Sequence, residues 1–487
     1  MAAAHRAACA ILIGLSGAMP AAAADRGAAR EIVTTHRLEL PGRTLAFRAV
    51  VGVAPVIDST GRVEAEAGLV AFLRDGDPVA RPVTFVVNGG PGASSAYLNL
   101  GALGPWRVAL DRGSPSVRAA LVANAETWLD LTDLVFIDPP GTGWGRVVAK
   151  AAGVRDRLWS VAGDIDALAG VVARWLVGHD RLGSPKVILG QSYGGLRAPR
   201  IADVLRTRQG VAVNALILLS PVLDYGWRYH ARTSPLSFAT LLPSFAAARL
   251  EREGSFSPDA LTEVEAYAAG DFMVDFLRGP ADAAAVERIA ARVAAITGLP
   301  IDVVRAARGR VNEQIFEREA ARASGRVVSS YDASVAGADP DPTLPRPDFA
   351  DPFMGTLKAP LTAAMAELLH ARLGATSRAP YDVSSEAVFD AWDWGRDGGM
   401  PEAVTALRKA LALDSKLQLL VAHGYTDLQA PYFETKLILD QLPAFANPGR
   451  IVCRSYPGGH VFYSRDGSRR ALRRDAEALF AAIISAR

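Results

Sequence analysis

The sequence predicts an α/β protein in which a doubly wound, mostly parallel sheet is interrupted by a mainly helical insertion. Stretches with apolar residues at helical spacing, 159–177 and 196–205, lie between short runs that have the composition of buried strands. Strands that alternate with helices indicate a parallel sheet covered on both faces. The six strand-like runs are 83–88, 133–138, 186–190, 215–220, 417–422 and 451–456.

Each of these runs is rich in leucine or β-branched residues and meets Gly, Pro, Asp or Ser at or near its end. Strands that are buried on both faces have this near-continuous apolar character. The runs therefore favour the interior of a parallel sheet over its exposed edge.

The strand signal stops near residue 227 and returns near residue 417. The intervening chain is rich in alanine and has helical runs, followed by the proline-rich segment 339–352, which excludes a helix interior. One sheet domain with a helical insertion accounts for this order. We divide the chain into a signal peptide (1–24), a first core part (25–226), a helical cap insertion (227–394) and a second core part (395–487).

The N-terminus has the layout of a cleavable secretory signal. His5 and Arg6 form a short basic start, an apolar stretch follows, and small residues lead to Ala24. The apolar stretch is shorter than the roughly 20 residues of a membrane-spanning helix, and no later run is long enough. We expect an exported protein, periplasmic or secreted, without a membrane anchor after cleavage; a disordered alanine-rich tail is the alternative.

Charge and cysteine content exclude other classes. The chain of 487 residues has 53 basic and 51 acidic side chains, hence a formal net charge of +2, and no long Lys/Arg run, so no nucleic-acid partner is expected. After signal cleavage Cys453 is the remaining cysteine, which excludes an internal disulfide. The sequence carries no signal for an oligomeric state.

The stretch Gly190-Gln191-Ser192-Tyr193-Gly194 has the spacing of a nucleophile elbow. This turn needs a strand before it and a helix after it, and both are predicted here. The turn would hold the Ser192 hydroxyl above the sheet at a helix N-terminus, where the amide of Tyr193 can stabilise an oxyanion. Taken alone the pattern is short, and an ordinary glycine-rich loop is its alternative.

A serine nucleophile requires a histidine base and an acid, which on such a sheet follow it in the chain. His423 and His460 follow late strands, and His460 lies after the last one, in the glycine-containing stretch YPGGHVFY. Asp427 follows the penultimate strand, with one helix and one strand between it and His460. We choose His460 as the base and Asp427 as the acid, and we expect His423 to be a neighbouring residue of the loop.

The second oxyanion amide should follow an early strand. The run 83–88 ends in Asn88-Gly89-Gly90-Pro91-Gly92, whose backbone can approach a substrate closely because side chains are absent. We assign this amide to Gly90; a glycine turn without a ligand is the alternative.

Together these motifs resemble the serine carboxypeptidase family, whose members have the α/β-hydrolase fold. NGGPGASS (88–95) is close to the family's Asn-Gly-Gly-Pro-Gly-Cys-Ser-Ser. FIDPPGTGWGR (136–146) is similar to its Asp-x-Pro-x-Gly-Thr-Gly-Phe-Ser, and GQSYGG (190–195) to its Gly-Glu-Ser-Tyr-Gly-Gly. The likeness covers residues 80–225 and 410–487.

The resemblance implies release of a C-terminal residue from a peptide through an acyl-enzyme, without a metal or cofactor. Ser192 would be the nucleophile, His460 the base and Asp427 its orienting acid. Gly90 and Tyr193 would form the oxyanion hole. The residues implied for substrate binding are Asn88, Gly89 and Gln191, with Asn88 helping to hold the terminal carboxylate.

Two positions depart from the family. The carboxylate-binding glutamates of the family are replaced by Gln191 and Ala102, and only Gln191 can form a hydrogen bond there. Arg107 or Arg197 could supply a charged contact, since arginine suits carboxylates. If carboxylate recognition is lost, the enzyme would cleave other esters or amides.

Two other classes remain open. One is a serine hydrolase of different specificity: a proline-releasing aminopeptidase, an esterase or an acyltransferase. Proline-releasing aminopeptidases carry a similar glycine-rich segment and elbow, but the long motif at 136–146 and the size of the insertion favour the carboxypeptidase. The other is a non-catalytic binding protein, against which the order of Ser, Asp and His argues.

Overall fold

A computed structural model of the chain describes the fold. It describes residues 31–108, 120–228, 233–344, 350–377, 379–395 and 399–485. The predicted signal peptide, with Cys9, lies outside the described residues.

The centre of the molecule is a mixed sheet. Its main strands, in the spatial order β1-β2-β3-β5-β4-β6-β7-β8-β9, are β1 (Ile32–Leu40), β2 (Arg43–Ile57), β3 (Val63–Arg74), β4 (Val83–Val87), β5 (Asp133–Asp138), β6 (Lys186–Gln191), β7 (Ala215–Leu219), β8 (Gln418–Gly424) and β9 (Ile451–Tyr456). A short tenth strand, Arg146–Val147, pairs with β3. The strands from β5 to β9 in this order are all parallel.

The six predicted strands are all present, as β4 to β9. The strands β4 to β8 are almost completely buried, because helices cover both faces of the parallel part. The last strand, β9, lies at the edge of the sheet and is mostly only partly buried, so the expectation of an interior position is wrong for it. Two apolar clusters, one on each face of the sheet, form the core. The carboxyl ends of β6, β7 and β8 lie at the same edge, where Gln191 is level with Leu219 and Leu219 with Ala422.

The antiparallel strands β1 to β3 were not predicted. In β1 exposed residues alternate with partly or fully buried ones, and the turn between β1 and β2 contains Gly42 with a φ of 75°. This is the period of a strand with one wet face, which produces no continuous apolar run.

Four helices pack against the sheet around the site. They are α1 (Val161–Gly178), α2 (Tyr193–Arg208), α3 (Tyr432–Asp440) and α4 (Asp466–Ser485). The hydroxyl of Ser160 accepts the amide hydrogen of Gly163 and caps α1. The loop 457–465, which contains His460, connects β9 directly to α4, so a strand fixes one end of the loop and a helix fixes the other.

Between β7 and β8 the described chain is mainly helical. Its α-helices are Tyr225–Arg228, Leu236–Ala239, Leu242–Arg252, Thr262–Ala269, Asp271–Arg278, Ala283–Thr297, Ile301–Ala306, Glu313–Glu319, Lys358–Ala366, Glu386–Asp390 and Val404–Leu413. An unpredicted antiparallel pair, Arg326–Val328 with Ala336–Ala338, interrupts them. Most of these helices surround a separate apolar cluster that includes Phe245, Phe272 and Phe316. From here on, the insertion means the whole chain between β7 and β8 (220–417), which is wider than the predicted cap of 227–394.

Candidate active site

Ser192 lies on a sharp turn between β6 and α2. Its φ of 59° and ψ of −123° are rare for a residue with a side chain and cost about 1–3 kcal/mol. A Cβ atom at Gly190 would lie 1.9 Å from the carbonyl oxygen of Gly194, and one at Gly195 would lie 2.2 Å from Pro221 Cβ. The glycines are therefore required by the tightness of the turn, which raises the serine above the sheet edge.

Asp427 and His460 are joined by a hydrogen bond. His460 Nδ1 lies 2.8 Å from Asp427 Oδ2, and since a carboxylate only accepts, Nδ1 carries the hydrogen. The other oxygen, Oδ1, accepts the backbone amides of Gln429 at 2.8 Å and Ala430 at 3.0 Å. The buried carboxylate is thus held by three donors, and it fixes the tautomer that leaves Nε2 as the basic nitrogen of His460.

Ser192 and His460 line the same cavity, which has a volume of about 400 Å³. Within the described part of the chain no hydrogen bond joins the serine hydroxyl to the imidazole. Such contacts often form fully only when substrate is bound. The geometry therefore brings the three predicted residues to one place, with Asp427 and His460 already hydrogen-bonded to each other.

The glycine-rich loop after β4 packs directly on the elbow. A Cβ atom at Gly89 would lie 2.6 Å from both Gln191 O and Tyr193 N, so only glycine fits. Gly90, with a φ of 97°, lines the cavity next to Ser192. The two amides that we expect to form an oxyanion hole thus flank the serine, one in this loop and one at the start of α2.

Arg197 holds this loop from beneath. Its guanidinium forms a buried, bidentate ion pair with Asp164 at 2.7 and 3.0 Å. It also donates hydrogen bonds to the carbonyl oxygens of Asn88 and Gly89 and stacks over the ring of Tyr193, 4.8 Å from its centroid. Arg197 is only 1% exposed, so its role is to support the loop.

The suggested arginine contact to a substrate carboxylate is therefore wrong for Arg197. Arg107 is also absent from the cavity lining; its guanidinium lies 3.9 Å from Asp466. The arginine that does line the cavity is Arg228, which is paired with Glu313 at 2.9 Å. The sequence analysis missed Arg228 because nothing in its local sequence indicates that the helix Tyr225–Arg228 lies against the cavity.

Gln191 forms three hydrogen bonds in a buried network. Its Oε1 accepts hydrogen bonds from Asn88 Nδ2 at 3.0 Å and from the Tyr463 hydroxyl at 2.8 Å. Its Nε2 donates to the carbonyl oxygen of His460 at 3.1 Å, which also accepts the hydroxyl of Ser220. Gln191 thus connects the elbow to the backbone of the base, and Tyr463 and Ser220 are contributors that the sequence did not indicate.

His423 lies inside β8 and is completely buried. Its Nδ1 lies 3.2 Å from the carbonyl oxygen of Ala430, so it donates there. Burial lowers the pKa of His423 to about 4, which keeps the ring neutral at ordinary pH. It is a neighbour of the acid–base pair and does not line the cavity.

The motif at 136–146 fixes the glycine-rich loop in a second way. Asp138 Oδ1 accepts the backbone amide of Ser95 at 2.8 Å and its hydroxyl at 2.7 Å. Burial raises the pKa of Asp138, and the hydrogen bonds from Ser95 oppose that rise. A Cβ atom at Gly143 would lie 2.0 Å from Asp138 Oδ2, so this glycine makes room for the carboxyl group.

Aromatic side chains form much of the cavity wall. The sheet side and the glycine-rich loop contribute Tyr97, and the insertion contributes Tyr225, Tyr331, Phe389 and Trp394. The wall can therefore bury the apolar side chains of a substrate. In the described residues no cluster of His, Cys, Asp and Glu could hold a metal ion, and no helix there is long and apolar enough to cross a membrane.

Comparison with known proteins agrees with the motifs. The sequence model of the serine carboxypeptidase family matches residues 70–229. Serine carboxypeptidase-like 44 of Arabidopsis thaliana is 29% identical over 180 residues, which are 34% of this chain and 33% of the relative. The pheromone-processing carboxypeptidase KEX1 of Coprinopsis cinerea is 29% identical over 126 residues, 25% of this chain and 19% of the relative.

The fold is similar to that of a solved carboxypeptidase. The crystal structure of the prohormone-processing carboxypeptidase Kex1 from Saccharomyces cerevisiae superposes with a TM-score of 0.56 at 15% identity and covers 91% of this chain and 92% of that one. The chain aligns with only a third or less of the length of these two curated relatives. The predicted α/β-hydrolase fold and the resemblance to serine carboxypeptidases are confirmed.

Proposed function

We propose that this protein is an exported serine-type carboxypeptidase, which releases the C-terminal residue of a peptide through an acyl-enzyme. The observation that carries the proposal is the hydrogen bond between Asp427 and His460 at the edge of the cavity that Ser192 lines. The sequence likeness to serine carboxypeptidases supports the choice of reaction. The proposal of export depends on the signal-like segment 1–24.

In the first half of the reaction, His460 Nε2 removes the hydroxyl proton of Ser192 as the oxygen attacks the scissile carbonyl carbon. The negative oxygen of the tetrahedral intermediate lies between the amides of Gly90 and Tyr193. Asp427 stabilises the positive imidazolium that forms and does not itself take the proton. The imidazolium then protonates the leaving amine, the C–N bond breaks, and the acyl group stays on Ser192.

In the second half, a water molecule replaces the departed amine. His460 removes a proton from this water, whose oxygen attacks the acyl carbon. The second tetrahedral intermediate collapses, the proton goes to Ser192 Oγ, and the free acid leaves. No metal or cofactor is required for either half.

Asn88, Gly89 and Gln191 lie beside Ser192 in the cavity, and we assign the C-terminal end of the substrate to them. The engagement of Gln191 with Asn88, Tyr463 and His460 favours one alternative. Because Gln191 lacks a carboxyl group and one hydrogen of its Nε2 is already donated to His460 O, recognition of the substrate terminus is weakened, and ester hydrolysis is the second candidate function.

The decisive experiment labels the nucleophile. A phosphonylating reagent directed at active serines should modify Ser192, as peptide mapping would detect, and Ser192→Ala should lose both labelling and hydrolysis. Ser244→Ala is a matched control, since Ser244 is a buried serine in the insertion helix Leu242–Arg252. A label on another residue would refute the assignment.

Substrate choice separates the alternatives. The carboxypeptidase proposal predicts turnover of N-blocked dipeptides with a free carboxylate. Turnover of aminoacyl amides with a free amino group would indicate an aminopeptidase, and turnover confined to simple esters would indicate an esterase. Labelling of Ser192 without turnover of any of these would leave the carboxypeptidase proposal without support.

A further inference from the structure

One short segment of the insertion, residues 329–335, contacts both loops that carry the proposed acid and base. We call it the bridging segment. It follows the first strand of the small pair Arg326–Val328 and Ala336–Ala338, and its turn is closed by the hydrogen bond from the amide of Ser329 to the carbonyl of Val335, at 2.9 Å.

Backbone hydrogen bonds attach the bridging segment to each loop. The amide of His460 donates to the carbonyl of Tyr331 at 2.6 Å. The amide of Leu428 donates to Ser330, and the amide of Ala333 donates to Thr426, at 3.0 and 2.9 Å. The residues on either side of Asp427, and His460 itself, are therefore bonded to the insertion.

Asp332 provides the side-chain link between the same two loops. Its Oδ1 accepts the hydroxyl of Thr426 at 2.7 Å, next to Asp427. Its Oδ2 accepts Arg465 Nη2 at 2.9 Å, on the chain that follows His460. Asp332 is only 3% exposed and Thr426 is completely buried, whereas the side chain of Arg465 is partly exposed.

The bridging segment packs tightly against the loop that contains His460. A Cβ atom at Gly459 would lie 2.0 Å from the carbonyl oxygen of Tyr331 and 2.5 Å from Asp332 Cα. The ring of Tyr331 stands edge-on to the imidazole of His460, with 5.5 Å between centroids. Asp351 holds the bridging segment from its other side, because its carboxylate accepts the hydroxyl of Ser329 and the amide of Ser330.

We propose that Asp332 is a positioning residue, which sets the distance between the loop of Asp427 and the loop of His460. The 2.8 Å hydrogen bond between those two side chains joins loops that follow different strands, so small shifts of either loop would weaken it. Misplacement by about 1 Å can cost on the order of 100-fold in rate. This inference rests on the proposed function, because it assumes that the Asp427–His460 pair performs the proton transfer.

The test compares Asp332→Asn with Asp339→Asn. Asp339 forms a buried ion pair with Arg318 at 2.6 Å elsewhere in the insertion, so its substitution removes a similar interaction without affecting the two loops. After correction for active sites by phosphonate titration, Asp332→Asn should lower kcat by about 10- to 100-fold with KM nearly unchanged. Asp339→Asn should leave both constants near those of the wild type.

A pH profile distinguishes positioning from a loss of folded protein. The groups that face the imidazole of His460 are Asp427, the ring of Tyr331 and the neutral ring of His423, with the Asp332–Arg465 pair behind. A longer Asp427–His460 contact stabilises the imidazolium less, so the acid limb of kcat/KM should move to lower pH. A structural defect alone would reduce the amount of active enzyme without moving that limb.

Thr426→Val is the second variant, and it separates position from charge. It removes the hydroxyl that Asp332 accepts but keeps the negative charge and its pairing with Arg465. A smaller loss of kcat and a shift of the acid limb in the same direction would support the proposal. A shift in Asp332→Asn alone, or a loss no greater than that of Asp339→Asn, would overturn it.

The two failures are distinguishable. If wild-type protein cleaves no N-blocked dipeptide and its Ser192 is not labelled, the proposed function falls and the role of Asp332 with it. If the wild type is active and labelled but Asp332→Asn retains the wild-type kcat and pH profile, only the role of Asp332 falls.

Discussion

The strand ends of the sheet and the insertion contribute to the same cavity in different ways. The sheet provides the proposed catalytic residues, because Ser192 follows β6, Asp427 follows β8 and His460 follows β9, and these strands lie within one parallel ladder. The insertion provides most of the aromatic wall and the bridging segment. In our proposal one region supplies the catalytic residues, and the other surrounds them and sets their positions.

The difference lies in how firmly each region holds a side chain. A strand end is fixed by a continuous ladder of hydrogen bonds, so single substitutions seldom displace it. The bridging segment holds two loops through a few contacts with Thr426, Leu428, His460 and Arg465, so one added atom can disturb it. We therefore expect the largest effects of conservative substitutions where the insertion meets the loops.

The largest effect is expected for Gly459→Ala. The added methyl group would overlap Tyr331 O and Asp332 Cα, so either the bridging segment or the loop of His460 must move. Such a displacement of the base should reduce kcat/KM by about 100-fold. Steady-state kinetics on an N-blocked dipeptide, normalised to titrated active sites, would measure it.

Gly449→Ala is the matched control at the other end of β9. A Cβ atom there would have Asn447 Oδ1 at 3.8 Å as its nearest neighbour, and its φ, like that of Gly459, is not in the left-handed region. We expect wild-type kinetics from it. Equal activity of the two variants would show that the insertion does not constrain the position of His460. The expected difference between the strand ends and the insertion would then be wrong.

The parts of this site that the sequence indicated are those whose geometry is encoded locally. The elbow around Ser192 and the glycine-rich loop each require glycine within a few residues, because any other side chain would collide with neighbouring backbone. The buried parallel strands are likewise visible as apolar runs. Because of these features, the order of Ser192, Asp427 and His460 along the sheet could be predicted from the sequence.

Other parts of the site could not be predicted because the residues that contact each other there lie far apart in the sequence. Asp332 meets Thr426 across 94 positions, and Tyr463 meets Gln191 across 272, and no periodicity marks such pairs. Arg107 and Arg197 were proposed as ligands from sequence proximity alone, which says nothing about which way a helix turns its side chains. The strand β1 was missed for another reason, since a half-exposed strand alternates, whereas β3 contains a continuous buried apolar run (67–73) that the prediction did not include.

The next largest effect is expected for Gln191→Glu, which changes a contact within the sheet region, and the loss of kcat/KM should depend on pH. In Gln191→Glu the new carboxyl would face the carbonyl oxygen of His460, to which Gln191 Nε2 now donates at 3.1 Å. The protonated acid can donate there, but the carboxylate would repel that oxygen in a buried site, so its pKa should rise above the usual range. The variant should resemble the wild type near pH 4–5 and lose about 10-fold in kcat/KM as pH rises through that pKa.

Gln209→Glu is the control for charge, because Gln209 is exposed at the end of α2. It should follow the wild-type profile, which we expect to persist towards neutral pH since Gln191 does not titrate. A wild-type profile confined to acid pH would contradict this expectation. A Gln191→Glu profile parallel to the wild type would show that the contact with His460 does not matter to the base.

The smallest expected effect on the reaction comes from His423, which is buried within β8 and has no contact with the cavity. Its pKa is lowered to about 4 by burial, whereas an unfolded histidine has a pKa of about 6.5. As pH falls, the unfolded chain therefore gains a proton before the folded protein does. The contribution of the neutral ring to the free energy of unfolding is complete above about pH 6.5 and is lost progressively down to about pH 4, by on the order of 3 kcal/mol.

The variant His423→Asn retains a donor for Ala430. Its free energy of unfolding should decline less between pH 7 and pH 5 than that of the wild type, as urea titrations would measure. Burial raises the pKa of Glu434 to about 7, which produces the opposite trend, but this trend is common to both proteins and cancels in their difference. Equal slopes would mean that His423 gains its proton in the folded protein at the same pH as in the unfolded chain, so that its burial does not favour the neutral ring.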